Sequence, residues 1–157
     1  PIRGLRKHES DVFQVAFSPD GTKLASVDER YNLSVWDLAT GKSIAWFRAG
    51  NWKLRWMRDS QTLAAASGSG VVFHDAANGA RKGVYFHLPN KQGVLISRDG
   101  NYSGTPGVEA NLIYQVLTAA GQATLSQEEF SSRFGWKNDS TKVKIIETVK
   151  PIDKSAI

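Results

Sequence analysis

Residues 12–47, VFQVAFSPDGTKLASVDERYNLSVWDLATGKSIAWF, contain four short strand-like runs in close succession. The first run, Val12–Phe17, alternates apolar side chains with small or polar ones, and the turn residues Ser18–Gly21 follow it. The other runs are Lys23–Val27, Leu33–Asp37 and Ser43–Phe47, with a second turn at Ala39–Lys42. Four strands joined by short turns predict one antiparallel sheet.

Turn residues recur along the chain at a nearly constant spacing. The turn aspartates stand 39 and 40 residues apart, at Asp20, Asp59 and Asp99. Glycines that follow the third strand stand 38 and 42 residues apart, at Gly41, Gly79 and Gly121. A recurring unit of about 40 residues indicates a repeat architecture, in which each unit packs against its neighbours.

The first unit resembles a WD repeat, since its four runs include the pair Trp36 and Asp37. The resemblance implies a β-propeller blade at residues 8–49, with weaker copies at 50–88 and 89–125. We therefore predict an all-β fold of about three four-stranded blades in a partial or open propeller. Closed propellers have about four to eight blades. We accordingly expect the C-terminal part of a larger bacterial propeller protein, or a second copy that completes a six-bladed ring.

WD-repeat blades are commonly tied together by hydrogen bonds among His, Ser or Thr, Asp and Trp. The resemblance implies the set His8, Ser26, Trp36 and Asp37 in the first blade. Six residues before Trp36, where the family has Asp, this chain has Arg30, and Asp28 and Glu29 lie close by. The network is therefore either incomplete or re-routed. The second blade departs further, because His74 occupies the Trp position.

The C-terminal segment, residues 126–157, changes character. Ser126 followed three residues later by Glu129 matches a capping box and predicts a short helix. Phe130 and Phe134 share one helix face, Gly135 is a plausible stop, and Trp136 follows, so these aromatic side chains are expected to dock the helix onto the propeller. Residues 143–149 are predicted to add one last strand.

The residue types offer little for chemistry. Of 157 residues none is Cys, and the three His have no metal-ligand spacing, so we expect no catalytic residue, no metal and no cofactor. No run approaches the roughly 18 apolar residues of a membrane helix. A cytoplasmic location is the default expectation, although an upstream signal would be missed.

A run of alternating aromatic and basic side chains offers an alternative function. Residues 46–58 contain three Trp and four Lys or Arg, and the chain carries a formal net charge of +5. Such a run could stack nucleobases and neutralise phosphates. However, Trp52, Leu54 and Trp56 repeat the positions of Phe13, Val15 and Phe17, which predicts that this face is buried in both blades and disfavours nucleic acid.

We therefore predict a non-catalytic scaffold for protein–protein interaction, with a protein or peptide partner. An alternative is the regulatory propeller of a multidomain enzyme with an upstream kinase or protease domain. Partner contacts are expected at loop and strand-entry positions, namely Asp28, Glu29, Arg30, Tyr31, Arg55 and His87. Tyr31 lies in a turn, where a large aromatic side chain could anchor a partner.

Overall fold

A computed structural model describes residues 4–49, 53–68, 70–118 and 121–146. The first sheet is a four-stranded antiparallel meander in the order β1-β2-β3-β4. Its strands are Val12–Phe17, Lys23–Asp28, Asn32–Asp37 and Ser43–Arg48. They match the four runs predicted for the first blade, and tight turns connect them.

The second sheet has six strands in the order β10-β9-β8-β7-β6-β5. Strands β5 to β10 are Lys53–Trp56, Thr62–Ser67, Gly70–Asp75, Arg81–Leu88, Gln92–Ser97 and Tyr102–Gly104. Strands β5 to β8 lie within residues 50–88, the range predicted for the second blade, and are called the second blade below. The remaining two strands extend the same sheet.

Residues 89–125 therefore do not form a third four-stranded blade. Strands β8 and β9 are joined by a tight turn in which Asn90 and Lys91 both have a φ of 60°. Such a turn folds β9 back onto β8 as a hairpin, so β9 cannot begin a separate sheet. The rest of the segment forms a 3₁₀ turn at Val108–Asn111 and a two-stranded hairpin. The hairpin consists of β11, Tyr114–Thr118, and β12, Gly121–Leu125.

The repeated turn residues have the same role in each copy. Hydrogen bonds from Ser18 and Thr22 hold the pKa of Asp20 at about 2. Asp59 accepts from Gln61 and Thr62 in the same manner. These carboxylates satisfy backbone donors that the turns leave free. The all-β prediction of a partial propeller with one short helix is confirmed.

The main core lies between the first two blades. Its buried side chains come from both sheets and include Val27, Leu33 and Val35 of the first and Leu54 and Leu63 of the second. Strands β1 and β5 lie side by side, and the Gln14 carboxamide bridges them. Its Nε2 donates to Leu54 O at 2.9 Å, and Leu54 N donates to its Oε1 at 2.9 Å.

The short helix α1, Gln127–Phe134, confirms the predicted capping box. Ser126 Oγ accepts from Glu129 N, Glu129 Oε2 accepts from Ser126 N, and Gly135 ends the helix with a φ of 64°. Phe130 stacks on Tyr114 at a centroid distance of 4.5 Å, so the helix packs against the β11–β12 hairpin. Trp136 packs against a second small core of Val94, Tyr102 and Val108.

The predicted last strand is not found in residues 143–146, and residues 147–149 lie outside the described part of the chain. The nearest sheet edge, β10, is already occupied. Asn138 Oδ1 accepts from Tyr102 N at 2.8 Å, and Asn138 Nδ2 donates to Tyr102 O at 2.9 Å. The carboxamide thus takes the place of a strand partner there. Ile145 instead packs over Gly83 of β8.

Candidate interaction surface

A chain of hydrogen bonds crosses the outer side of the first blade. Trp36 Nε1 donates to Ser26 Oγ at 2.8 Å, His8 Nε2 lies 2.7 Å from the same oxygen, and His8 Nδ1 lies 3.0 Å from Asp28 Oδ2. A carboxylate only accepts and an indole N–H only donates. With a neutral imidazole, the protons therefore run from Trp36 to Ser26, then to His8 Nε2, and from His8 Nδ1 to Asp28.

The network is re-routed through Asp28, two residues before the position that the family pattern indicated. Burial opposes ionisation of Asp28, but hydrogen bonds from His8 and Asn32 hold its pKa at about 2. Its other oxygen accepts the backbone N–H groups of Arg30 and Asn32 at 3.0 and 2.9 Å. Asp28 is 1% exposed. It is therefore not available to a partner, contrary to the prediction.

Asp37 lies outside this network. Neighbouring residues of a strand point to opposite sides, so Trp36 and Asp37 cannot share one face. Asp37 Oδ1 instead accepts from the backbone N and the Oγ1 of Thr40, both at 2.7 Å, in the turn between β3 and β4. Its role is to hold this turn.

The other candidate contact residues are distributed over both sheets. Glu29 and Arg30 are exposed at the turn between β2 and β3, and Arg30 lies 3.7 Å from Glu9. Tyr31 of the same turn is half-buried and has a φ of 62°. Arg55 is exposed on β5, and His87 is exposed on β8. The turn thus groups three of the candidates, whereas Arg55 and His87 belong to the other sheet.

The outer side of the first blade also carries a set of exposed apolar side chains, which we name the open face. It consists of Val12, Val15, Phe17 and Trp46, which are 45%, 55%, 66% and 50% exposed. Strand pairing places them on the same side of the sheet as Ser26 and Trp36. Sequence periodicity predicted a buried face here, and that prediction is wrong for β1.

Next to the open face, the N-terminal segment and the sheet enclose a cavity of about 310 Å³. Its lining includes Leu5, Leu24 and Trp36 together with Val12 and Val15 of the open face. His8 and Ser26 also line it, but their polar atoms are committed to the hydrogen-bonded network. The surface is therefore concave and largely apolar.

At the equivalent positions of the second blade, one side chain is buried and the other is half-buried. Leu54 and Trp56 stand 39 residues after Val15 and Phe17 and pair with Ala65 and Leu63, as Val15 and Phe17 pair with Ser26 and Leu24. Leu54 is 1% exposed, because the first blade lies over it. Trp56 Nε1 donates to Ala16 O at 2.9 Å. The chain is a partial β-propeller.

No family model matches the chain, and no curated protein matches it. Among solved structures, it is similar to the RRP9 WD40 repeats, with 11% identity and a TM-score of 0.44 over 64% of this chain and 40% of that one. The WD40 domain of SCAP from fission yeast has 12% identity and a TM-score of 0.43, over 75% of this chain and 33% of that one. The Cps50 (Swd1) β-propeller domain of Myceliophteria thermophila has 18% identity and a TM-score of 0.45, over 78% of this chain and 53% of that one.

The chain thus spans well under two thirds of the structures to which it is similar. The described residues contain no group of three His, Asp or Glu that could hold a metal ion. No helix in the described part of the chain is long and apolar enough to cross a bilayer.

The basic and aromatic run at 46–58 is divided between interior and surface. Leu54 is buried and Trp56 is half-buried, with its indole N–H donated to the first blade, while Arg55 and Arg58 are exposed. Trp52 lies outside the described residues. Leu54, Trp56 and Phe47 pack in the core between the blades, whereas Trp46 is 50% exposed and belongs to the open face.

A buried histidine lies where the two blades meet. His74 Nδ1 is 3.1 Å from Gly79 O, and its ring lies 5.1 Å from that of Phe47. Its Nε2 is buried and has no partner among the described residues. Burial lowers the pKa of His74. The repeat spacing predicts His74 at the position of Trp36, but it does not predict the contact with Phe47, because Phe47 belongs to the other blade.

Proposed function

We propose that this chain is a non-catalytic scaffold for protein–protein interaction, and that its open face receives a further propeller blade. The supporting observation is the contrast between Val15 and Leu54. They occupy equivalent positions, yet only Leu54 is covered, and its cover is the adjacent blade. Exposed apolar patches on soluble proteins mark interaction sites.

The chemistry of the occupant follows from the interface between the two blades. The first blade covers the second mainly with small and branched side chains, including Ala25, Val27 and Ala45. A partner for the open face therefore presents a flat sheet of small apolar residues, which lets Phe17 and Trp46 pack closely against it.

The side of the second blade that contains Gly83 does not offer such a surface. Gly83 of β8, which pairs with Ser97 of β9, lies beneath Ile145 of the C-terminal segment. A second copy thus cannot present this side of its second blade without displacing that segment. The open face accordingly does not fit the second blade of another copy, whereas a surface like the one with which the first blade covers Leu54 fits it.

A tandem duplication tests the proposal directly. Residues 8–49 are repeated in front of His8, so that the added blade can cover Val15 and Phe17. Burying two or three large apolar side chains contributes several kcal/mol, which corresponds to a rise in Tm of about 5 °C or more. Binding of the dye ANS, which reports exposed apolar surface, is expected to fall.

The matched control carries Ala25→Lys in the added blade only, which places a charge against the open face. We expect this control to retain the ANS binding and the Tm of the original chain. An unchanged Tm in the duplicated protein would contradict the proposal. Concentration-dependent self-association of the original chain, abolished by Phe17→Ser with Trp46→Ser, would instead identify a second copy as the occupant.

A further inference from the structure

Four cationic side chains converge on one cavity of the second blade, which we name the basic cavity. Its lining consists of Lys82, Ser97, Arg98, Asp99, Lys142 and Lys144, and its volume is about 380 Å³. These residues come from three separate segments: strand β8, the end of β9 with the turn that follows it, and the C-terminal segment. None of them belongs to the open face or to the contacts predicted from the sequence.

Backbone and apolar contacts hold the three segments together. Arg98 N donates to Lys82 O at 2.9 Å, which fixes the turn beside β8. Asp139 N donates to Asn101 Oδ1 at 2.8 Å, and Ile145, 5% exposed, packs over Gly83. Because the main chain itself is held at several points, the cations are gathered by the fold rather than by flexible side chains alone.

The carboxylates near the cavity are already committed. Asp99, the acidic member of the lining, accepts from Ser97 and Asn101, and the Ser97 hydrogen bond lowers its pKa. Asp139 lies 3.6 Å from Lys142. Burial opposes ionisation of Asp59, but hydrogen bonds from Thr62 and the charge of Lys82 lower its pKa overall. Cations still outnumber carboxylates in the lining.

The four cationic side chains differ in their burial and in the hydrogen-bond and ion-pair partners they already have. Lys82 is half-buried and donates from Nζ to Thr62 Oγ1 at 2.9 Å, and Lys142 is shared with Asp139. Arg98 and Lys144 are exposed at the rim. An arginine fork beside lysine ammonium groups matches the geometry of a carboxylate or phosphate. The rim residues are therefore the ones to meet an incoming anion.

We propose that the basic cavity binds an acidic peptide segment of a partner protein. A cavity of this size accommodates one or two anionic side chains. Nucleic acid fits less well, because single strands bind through aromatic stacking and none of the six lining residues is aromatic. This interaction is independent of the open face and does not rest on the proposed blade contact.

The test measures fluorescence anisotropy of a labelled hexaglutamate peptide with the full chain at low salt. Arg98→Gln with Lys144→Gln removes the two rim cations and is expected to weaken binding at least about tenfold, since charged hydrogen bonds are lost. The matched control, Lys42→Gln with Arg58→Gln, removes the same types of charge from exposed sites elsewhere. It is expected to change binding by less than about twofold.

Three results would overturn the inference: no binding of hexaglutamate at low salt, equal weakening in the two double variants, or tighter binding of a labelled oligothymidylate than of hexaglutamate. Phe17→Ser with Trp46→Ser serves as a separate check, because it alters the open face and is expected to leave hexaglutamate binding intact. Failure at the basic cavity would thus be distinguished from failure of the blade contact.

Discussion

At the scale of single residues, the hydroxyl of Ser26 connects two other polar side chains of the first blade. Ser26 Oγ accepts from Trp36 and lies within hydrogen-bond distance of His8, which in turn reaches Asp28. Since all of these polar atoms are shielded from water, the hydroxyl determines whether each of them has a partner.

The first prediction concerns Ser26→Ala. The change removes the partner of Trp36 Nε1 and of His8 Nε2, so we expect a loss of about 2 kcal/mol in the free energy of unfolding, measured by urea denaturation. Ser34→Ala is the control, because Ser34 is also buried but its hydroxyl makes longer contacts, with Ser43 Oγ at 3.1 Å and Ala45 O at 3.5 Å. Equal losses in the two variants would contradict the assigned network.

The second prediction concerns the pH dependence from His74. Burial lowers its pKa, and the nearby Arg81 lowers it further, so the unfolded chain takes up a proton before the folded one. Stability is therefore expected to fall as the pH drops below 6.5, the ordinary value. His74→Phe should reduce this fall when Tm is compared at about pH 7.5 and about pH 5.5. His87→Gln, at an exposed site, should leave it unchanged.

At the scale of secondary structure, two side-chain carboxamides take the place of strand neighbours. Gln14 bonds both backbone groups of Leu54 on β5, and Asn138 bonds both backbone groups of Tyr102 on β10. Strands β5 and β10 are the two edges of the six-stranded sheet. Each carboxamide therefore satisfies groups that an edge strand otherwise leaves to water.

The third prediction follows from this edge contact. Asn138→Ala leaves Tyr102 N without its acceptor, so exchange of this amide hydrogen is expected to accelerate by about tenfold or more in NMR measurements. Amides in the centre of the sheet, such as Val84, should keep their protection. Unchanged exchange at Tyr102 would show that Asn138 does not protect the edge.

At the scale of the whole molecule, the two blades are in contact where the Phe47 ring of the first blade packs over Gly79 of the second. A Cβ atom at Gly79 would stand 2.4 Å from Phe47 ring atoms, and Gly79 has a φ of 76°. Both the left-handed backbone and the close contact require glycine here. The turn that repeats Gly41 in sequence thus also serves the joint between blades.

The fourth prediction compares two glycines. Gly79→Ala is expected to cost about 3 kcal/mol, from backbone strain together with overpacking against Phe47. Gly100→Ala, with a φ of 86° but open space around its Cβ, should cost about 1 kcal/mol. Urea unfolding of both variants isolates the contribution of the ring contact. Similar costs would show that Phe47 moves aside freely.

The sequence predicted those parts of the fold that local patterns specify. Alternation and turn residues located β1 to β4, and the capping box located α1. The sheet to which β9 belongs depends on Asn90 and Lys91, because their left-handed backbone creates a hairpin with β8. The spacing of the turns alone does not predict this hairpin. Likewise, Asp28 replaced the expected network residue because its carboxylate reaches His8 in space, and the basic cavity combines segments remote in sequence.

The paired carboxamides at the sheet edges also bear on aggregation. A free edge strand is a template on which further chains can add, one strand at a time, into fibres. Gln14 bonds Leu54 of β5 and Asn138 bonds Tyr102 of β10, so each edge of the larger sheet has one residue whose backbone groups are already paired. Stepwise addition of strands to this sheet is thereby opposed at both edges by side chains of the same molecule.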